Sequence, residues 1–97
     1  MAVNHMVWIR FRPDVPETRI ATIEADLRQL PERVPGVTSM TMGRNFTDRA
    51  NGCTHGISVI LDDRAALERY AVDPFHVGIA QALRESCDVL MAVDYEF

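Results

Sequence analysis

The sequence predicts an α+β sandwich of the ferredoxin-like kind, a four-stranded antiparallel sheet with its helices on one face. Three observations lead there. Four segments alternate apolar and polar residues with a period of two, the pattern of strands. Helical stretches fall between them in the order strand, helix, strand, strand, two-part helix, strand, which is the split βαβ arrangement. The 97 residues carry no repeat, low-complexity tract or linker, so residues 1–97 read as one domain.

Each element has its own reason. Val3 to Phe11 alternates, with Val3, His5, Val7, Ile9 and Phe11 on one side and Asn4, Met6, Trp8 and Arg10 on the other. The Pro13-Asp14-Val15-Pro16 segment breaks this strand and leads into a helix. Ile20, Ile23, Leu27 and Leu30 form its single apolar stripe. Leu30-Pro31 and Val34-Pro35-Gly36 end the helix and turn the chain. A second strand runs from Val37 to about Arg44, with Thr38, Met40 and Met42 on one face and Val37, Ser39 and Thr41 on the other. Asn45 to Gly52 is a polar loop. The third strand runs from about Cys53 to Leu61 and aligns His55, Ile57, Val59 and Leu61. Asp62 or Asp63 caps a short helix carrying Leu67 and Tyr70. Asp73 is a good N-cap and Pro74 a good first helical residue, so a further helix starts there, with His76 in its first turn and Val77, Ala80 and Leu83 inward. Val89 to Tyr95 is the last strand.

In this arrangement Val7, Ile9, Met40, Met42, Ile57 and Val59 lie beneath the helices. The opposite face carries Trp8, Ile60, Val89, Met91, Val93 and Tyr95, too apolar to remain in water. A second copy of the same sheet is the economical cover, so the pattern predicts a homodimer.

Composition narrows the function. Apolar residues make up 47% and charged residues 25%, the balance of a globular chain. A net charge of -4 with no basic run argues against nucleic acid. No apolar run is long enough to span a bilayer, and the N-terminal segment lacks a signal-peptide layout, so no membrane role and a cytoplasmic location are expected. Cys53 and Cys87 show no metal or redox spacing and read as thiols that pack. The five glycines are scattered and build no phosphate loop.

The chemistry-bearing residues are few. His5 and His55 sit on the inward faces of their strands and His76 at a helix start, so the three histidines and Tyr70 are expected to line one pocket. Val7, Leu27, Met40, Ile57, Ile79 and Leu90 are expected to supply its apolar lining. His76 is the candidate general base, since an imidazole exchanges protons near neutral pH and a helix N-terminus disfavours its charged form. Tyr70 is the candidate partner, hydrogen-bonding His76 or a substrate carbonyl. Together they suit proton abstraction beside a carbonyl, as in an intramolecular aldol condensation or keto–enol isomerisation; alternatively they fasten the helix break to the sheet. His5 and His55 either orient a ligand hydroxyl or carboxylate or serve as hydrogen-bonded structural residues. Three imidazoles can hold zinc, but no short-spaced ligand pair supports a metal, and neither metal nor cofactor is expected. Met40, Met42 and Met91 read as packing side chains, and Asp94 as an exposed strand-end carboxylate or an arginine's partner at the dimer seam.

The stretches Ala2-Val3-Asn4-His5-Met6-Val7, Pro35-Gly36-Val37, Thr54-His55-Gly56, Tyr70-Ala71-Val72-Asp73-Pro74-Phe75-His76 and Val93-Asp94-Tyr95, in this order and spacing, resemble the stress-responsive dimeric A/B-barrel (Dabb) family. The resemblance spans essentially the whole chain. It implies a ferredoxin-like homodimer whose two sheets pack face to face into a barrel. One plant branch of the family cyclises linear polyketides with a histidine and a tyrosine that match His76 and Tyr70, and histidines matching His5 and His55 line its pocket. Leu27 stands here where that branch has a pocket tyrosine. The expected role is therefore cofactor-free binding or acid–base conversion of a small oxygenated organic molecule, cyclase- or isomerase-like. The alternatives are a non-catalytic stress or assembly protein and, more weakly, the haem- or metal-dependent monooxygenase chemistry of other dimeric α/β barrels.

Overall fold

The computed structural model describes residues 1–97. Strands β1 (Val3–Phe11), β2 (Val37–Arg44), β3 (His55–Leu61) and β4 (Cys87–Glu96) form one antiparallel sheet in the order β2-β3-β1-β4. Helices α1 (Glu17–Arg28), α2 (Leu30–Arg33), α3 (Arg64–Val72) and α4 (Pro74–Ser86) connect them. This is the ferredoxin-like architecture that the strand and helix order predicts. No helix is long and apolar enough to cross a membrane.

The core lies between the sheet and the helices. β1 and β3 bring Val3, Ile9, Phe11, Ile57, Val59 and Leu61 to it, and α1 adds Ile20, Ile23 and Leu27 from one side of its cylinder. Burying such branched side chains contributes roughly 1.5–3 kcal/mol each, which fixes which face of the sheet turns inward. Register then places the functional side chains: His5 stands between Val59 and Asp94, and Val7 between Ile57 and Ala92.

Three local expectations need correction. Strict alternation puts Val37 on the outer face, yet it is buried with the core and opposite Leu61. A register shift between Val37 and Ser39 is the cause: the extra residue of a bulge returns Val37 to the helix side, while Thr38 is exposed and donates its hydroxyl to the Ile60 carbonyl. Val77 is exposed, while Leu83 is buried as expected and Ile79 joins it on the inward face of α4. Helical rotation from Ile79 reaches Leu83 and Ser86, and Val77 lies about 200° from Ile79 around the axis. The first helix stops at Arg28, so Leu30 belongs to the separate turn of α2, where Pro31 is tolerated near the start.

The turn into β2 is tight. Gly36 has φ +92°, and a Cβ there would lie 2.7 Å from the Ala66 Cβ of α3. Glycine is required on both counts, by the left-handed backbone and by the helix it touches.

Candidate active site

A cavity of about 220 Å³ lies between the helices and the β1–β4 half of the sheet. Its polar groups are His5, Tyr70 and His76, and its walls are otherwise apolar. Tyr70 and His76 are six residues apart, which in an unbroken helix would point them roughly 120° apart. The break between α3 and α4 removes that constraint. Asp73 ends one helix with its N–H donating to the Tyr70 carbonyl (3.2 Å) and begins the next with its carboxylate accepting from the Phe75 N–H (2.9 Å). Pro74, which has no N–H to satisfy, occupies the first helical position. The chain direction changes there, and the two rings stack with centroids 3.9 Å apart and planes inclined by 32°. Of the two partners expected for the Tyr70 hydroxyl, His76 or a substrate carbonyl, His76 meets Tyr70 by ring stacking and not by a hydrogen bond.

His76 is half-buried, and its Nδ1 is fully shielded with no hydrogen-bond partner. Burial pushes the imidazole pKa down, opposed by the nearby Ala71 carbonyl, and the neighbouring His5 lowers it further. The neutral, proton-accepting form is therefore the resting one. Burial pushes the Tyr70 phenol up, with the Asp94 charge adding to the effect, so this hydroxyl stays protonated and acts as a donor. His5 meets the Tyr70 ring edge-on, at 5.5 Å between centroids. On its other side, His5 Nδ1 donates to Asp94 Oδ1. The result is an ordered row: Asp94, His5, Tyr70, His76.

Of the expected lining, the structure brings together His5, Val7, Leu27, Ile57, Tyr70, His76, Ile79 and Leu90. Two residues stand elsewhere. His55 is buried at the far end of β3, edge-on to Phe11 at 5.1 Å and with Nδ1 2.9 Å from the Thr54 hydroxyl. Its position on the same face as Ile57 is as expected, but it is two residues further along the strand and beside Arg44 in the cross-strand pair. Burial, and then the Arg44 charge, push its pKa down. Met40 packs against the core opposite Val59, in the β2–β3 half of the sheet. The single pocket with three histidines therefore becomes a cavity with two, and no group of three His, Cys, Asp or Glu side chains is placed to hold a metal. Asp94 is the exposed carboxylate near the end of β4 that the sequence suggested, but its pairing with His5 was not foreseen; the signal was its alternation with Leu90 and Ala92 on the inward face of β4.

Comparison with known proteins adds the following. The family model described as Stress responsive A/B Barrel Domain (Dabb) matches residues 3–97. Olivetolic acid cyclase of Cannabis sativa is 24% identical over 97 residues, covering 98% of this chain and 96% of that protein. Among solved structures, the hydroxynitrile lyase of Passiflora edulis superposes with a TM-score of 0.90 at 22% identity, over 97% of this chain and 91% of that one. A dimeric ferredoxin-like protein of unknown function from Jannaschia sp. CCS1 superposes with a TM-score of 0.88 at 29% identity, over the full length of both chains.

Proposed function

We propose, from the premise that this chain belongs to the Stress responsive A/B Barrel Domain family, that it is a homodimeric protein whose cavity takes a small oxygenated organic molecule and converts it by acid–base chemistry. The observation that carries this reading is the pair of His76 and Tyr70 on the cavity wall, an imidazole that burial keeps neutral stacked on a phenol that burial keeps protonated.

In the proposed reaction His76 removes a proton from the carbon beside a carbonyl. Tyr70, held protonated by burial, donates to the carbonyl oxygen as negative charge develops there. The enolate then adds to a second carbonyl or is reprotonated, giving a cyclase- or an isomerase-like outcome, with no cofactor needed for either proton transfer. The similarity to a cyclase and to a lyase, both of small organic molecules, favours this class without choosing the substrate. The walls set its limits: about 220 Å³, apolar except at three side chains.

The homodimer rests on the sheet's other face. Trp8, Met91, Val93 and Tyr95 are 41%, 43%, 47% and 45% exposed there, adjacent across the β1–β4 pairing. Such a patch drives association at about 25 cal/mol per Å² before association costs. The structurally similar Jannaschia protein is dimeric, which supports the same arrangement here. A cytoplasmic setting accords with two free thiols, Cys53 and Cys87.

The test is a screen of β-dicarbonyl and linear polyketide-like compounds by thermal shift and turnover, with parent, His76→Ala and Tyr70→Phe side by side. Conversion by the parent should fall about 10²–10⁴-fold in His76→Ala. Equal turnover by the variants removes His76 as the base.

A further inference from the structure

Asp94 does more than end a strand. It faces His5 directly across the β1–β4 ladder, and its Oδ1 accepts from His5 Nδ1. The two side chains differ in where they sit: the His5 ring is only 14% exposed and borders the cavity, whereas the Asp94 carboxylate is 43% exposed and opens onto a surface groove with Arg64, Leu67 and Glu68. Glu96, the next carboxylate along the same face, is already paired with Arg64. No arginine pairs with Asp94, so its partner is the imidazole alone.

A carboxylate only accepts, so this contact requires a proton on His5 Nδ1. In a neutral imidazole the other nitrogen then carries the lone pair. Nδ1 is turned toward Asp94, and Nε2 is the atom left for the cavity. We infer that Asp94 is a positioning residue that holds His5 in the Nδ1–H tautomer, so that Nε2 meets the bound molecule as an acceptor and selects ligands carrying a hydroxyl or enol O–H. This rests on the proposed binding role of the cavity and extends it. His76 is the group that handles the carbon-bound proton, and His5, on the other side of the Tyr70 ring, reads the ligand's hydroxyl. The preferred substrates are then hydroxylated or enolic carbonyl compounds rather than simple ketones or ethers.

Two measurements test it. Long-range ¹H–¹⁵N correlation spectra of the histidine-labelled protein, free of ligand, report the tautomer of His5 directly. The expected result is Nδ1–H in the parent and a shift toward Nε2–H in Asp94→Ala, with His76 unmoved. An Nε2–H tautomer in the parent, or one unaffected by Asp94→Ala, overturns the inference. The second measurement compares the affinity of phenol with that of anisole, which lacks the donor. A net hydrogen bond contributes about 0.5–1.5 kcal/mol, so the phenol-to-anisole ratio should fall roughly 2- to 10-fold in Asp94→Ala and recover in part in Asp94→Glu. An unchanged ratio also overturns the inference. If neither probe binds the parent, the cavity-binding reading and the ligand selection built on it both fail, while the tautomer spectra still decide the pairing of Asp94 with His5.

Discussion

His76 Nδ1 lacks a partner and the ring borders open space, and this combination makes His76→Phe an informative substitution. Phenylalanine keeps a ring stacked on Tyr70 and removes the unsatisfied nitrogen. The orphan atom costs about 1–3 kcal/mol in the parent. The slightly larger phenyl ring returns part of that through tighter packing, but the cavity of about 220 Å³ leaves it room to settle. The net expectation is a gain of about 1 kcal/mol, which for a chain of this length raises Tm by roughly 4–8 °C. The pH dependence has a definite sign. Folding depresses the His76 pKa below its unfolded value of about 6.5, so the stability tied to its neutral form is complete above that pH and is lost as pH falls through the folded value. The advantage of His76→Phe should therefore widen between pH 7.5 and pH 5. His55, also depressed by burial, leaves a residual acid sensitivity in the variant. Thermal melts by circular dichroism at the two pH values read both effects, and turnover of any hit should vanish in parallel. A His76→Phe protein that melts well below the parent at pH 7.5 would refute this reasoning and make the ring a structural part, shaped for its place.

Two further substitutions probe the frame around the site. Met91→Asp puts a charge in the centre of the exposed β1–β4 face, and light scattering at micromolar concentration should show monomer where the parent shows dimer; a monomeric parent would remove the interface itself. Gly36→Ala combines a left-handed backbone with a Cβ 2.7 Å from that of Ala66, so urea unfolding should report a loss of about 2–4 kcal/mol.

The elements that sequence patterning located well are those where one force dominates. β1 alternates over nine residues because one of its faces is buried along its length, and Asp73-Pro74 marks a helix start because capping is local chemistry. These two features were enough to put His5 and His76 near the same space. What the pattern could not carry was non-local. Val37 changes face through a bulge, and a bulge leaves no mark in a run of alternating residues. His55 and His5 share a sheet face, yet that face is long enough to hold one in the cavity and the other beside Phe11, outside it. Asp94 and His5 are 89 positions apart, and only the β1–β4 register reveals them as a pair. Val77 and Ile79 are equally apolar, and the packing of α4 on the sheet, not composition, decides which one is buried.

The sheet order has a consequence for how the chain is built. β1 precedes the other three strands in the chain but sits inside the sheet, between β3 and β4, with Val3 opposite both Leu61 and Glu96. A nascent chain that has emerged only as far as α4 has one side of β1 unpaired, with its ladder N–H and C=O groups open and Trp8 beside them. That edge is a template for another chain, and it closes only when β4 arrives. Folding is then gated by a contact between strands far apart in the sequence, the slow kind in which chain closure precedes any reward. The wall that carries Leu90 and Ala92 is this same fourth strand, so the cavity does not exist until β4 has paired with β1.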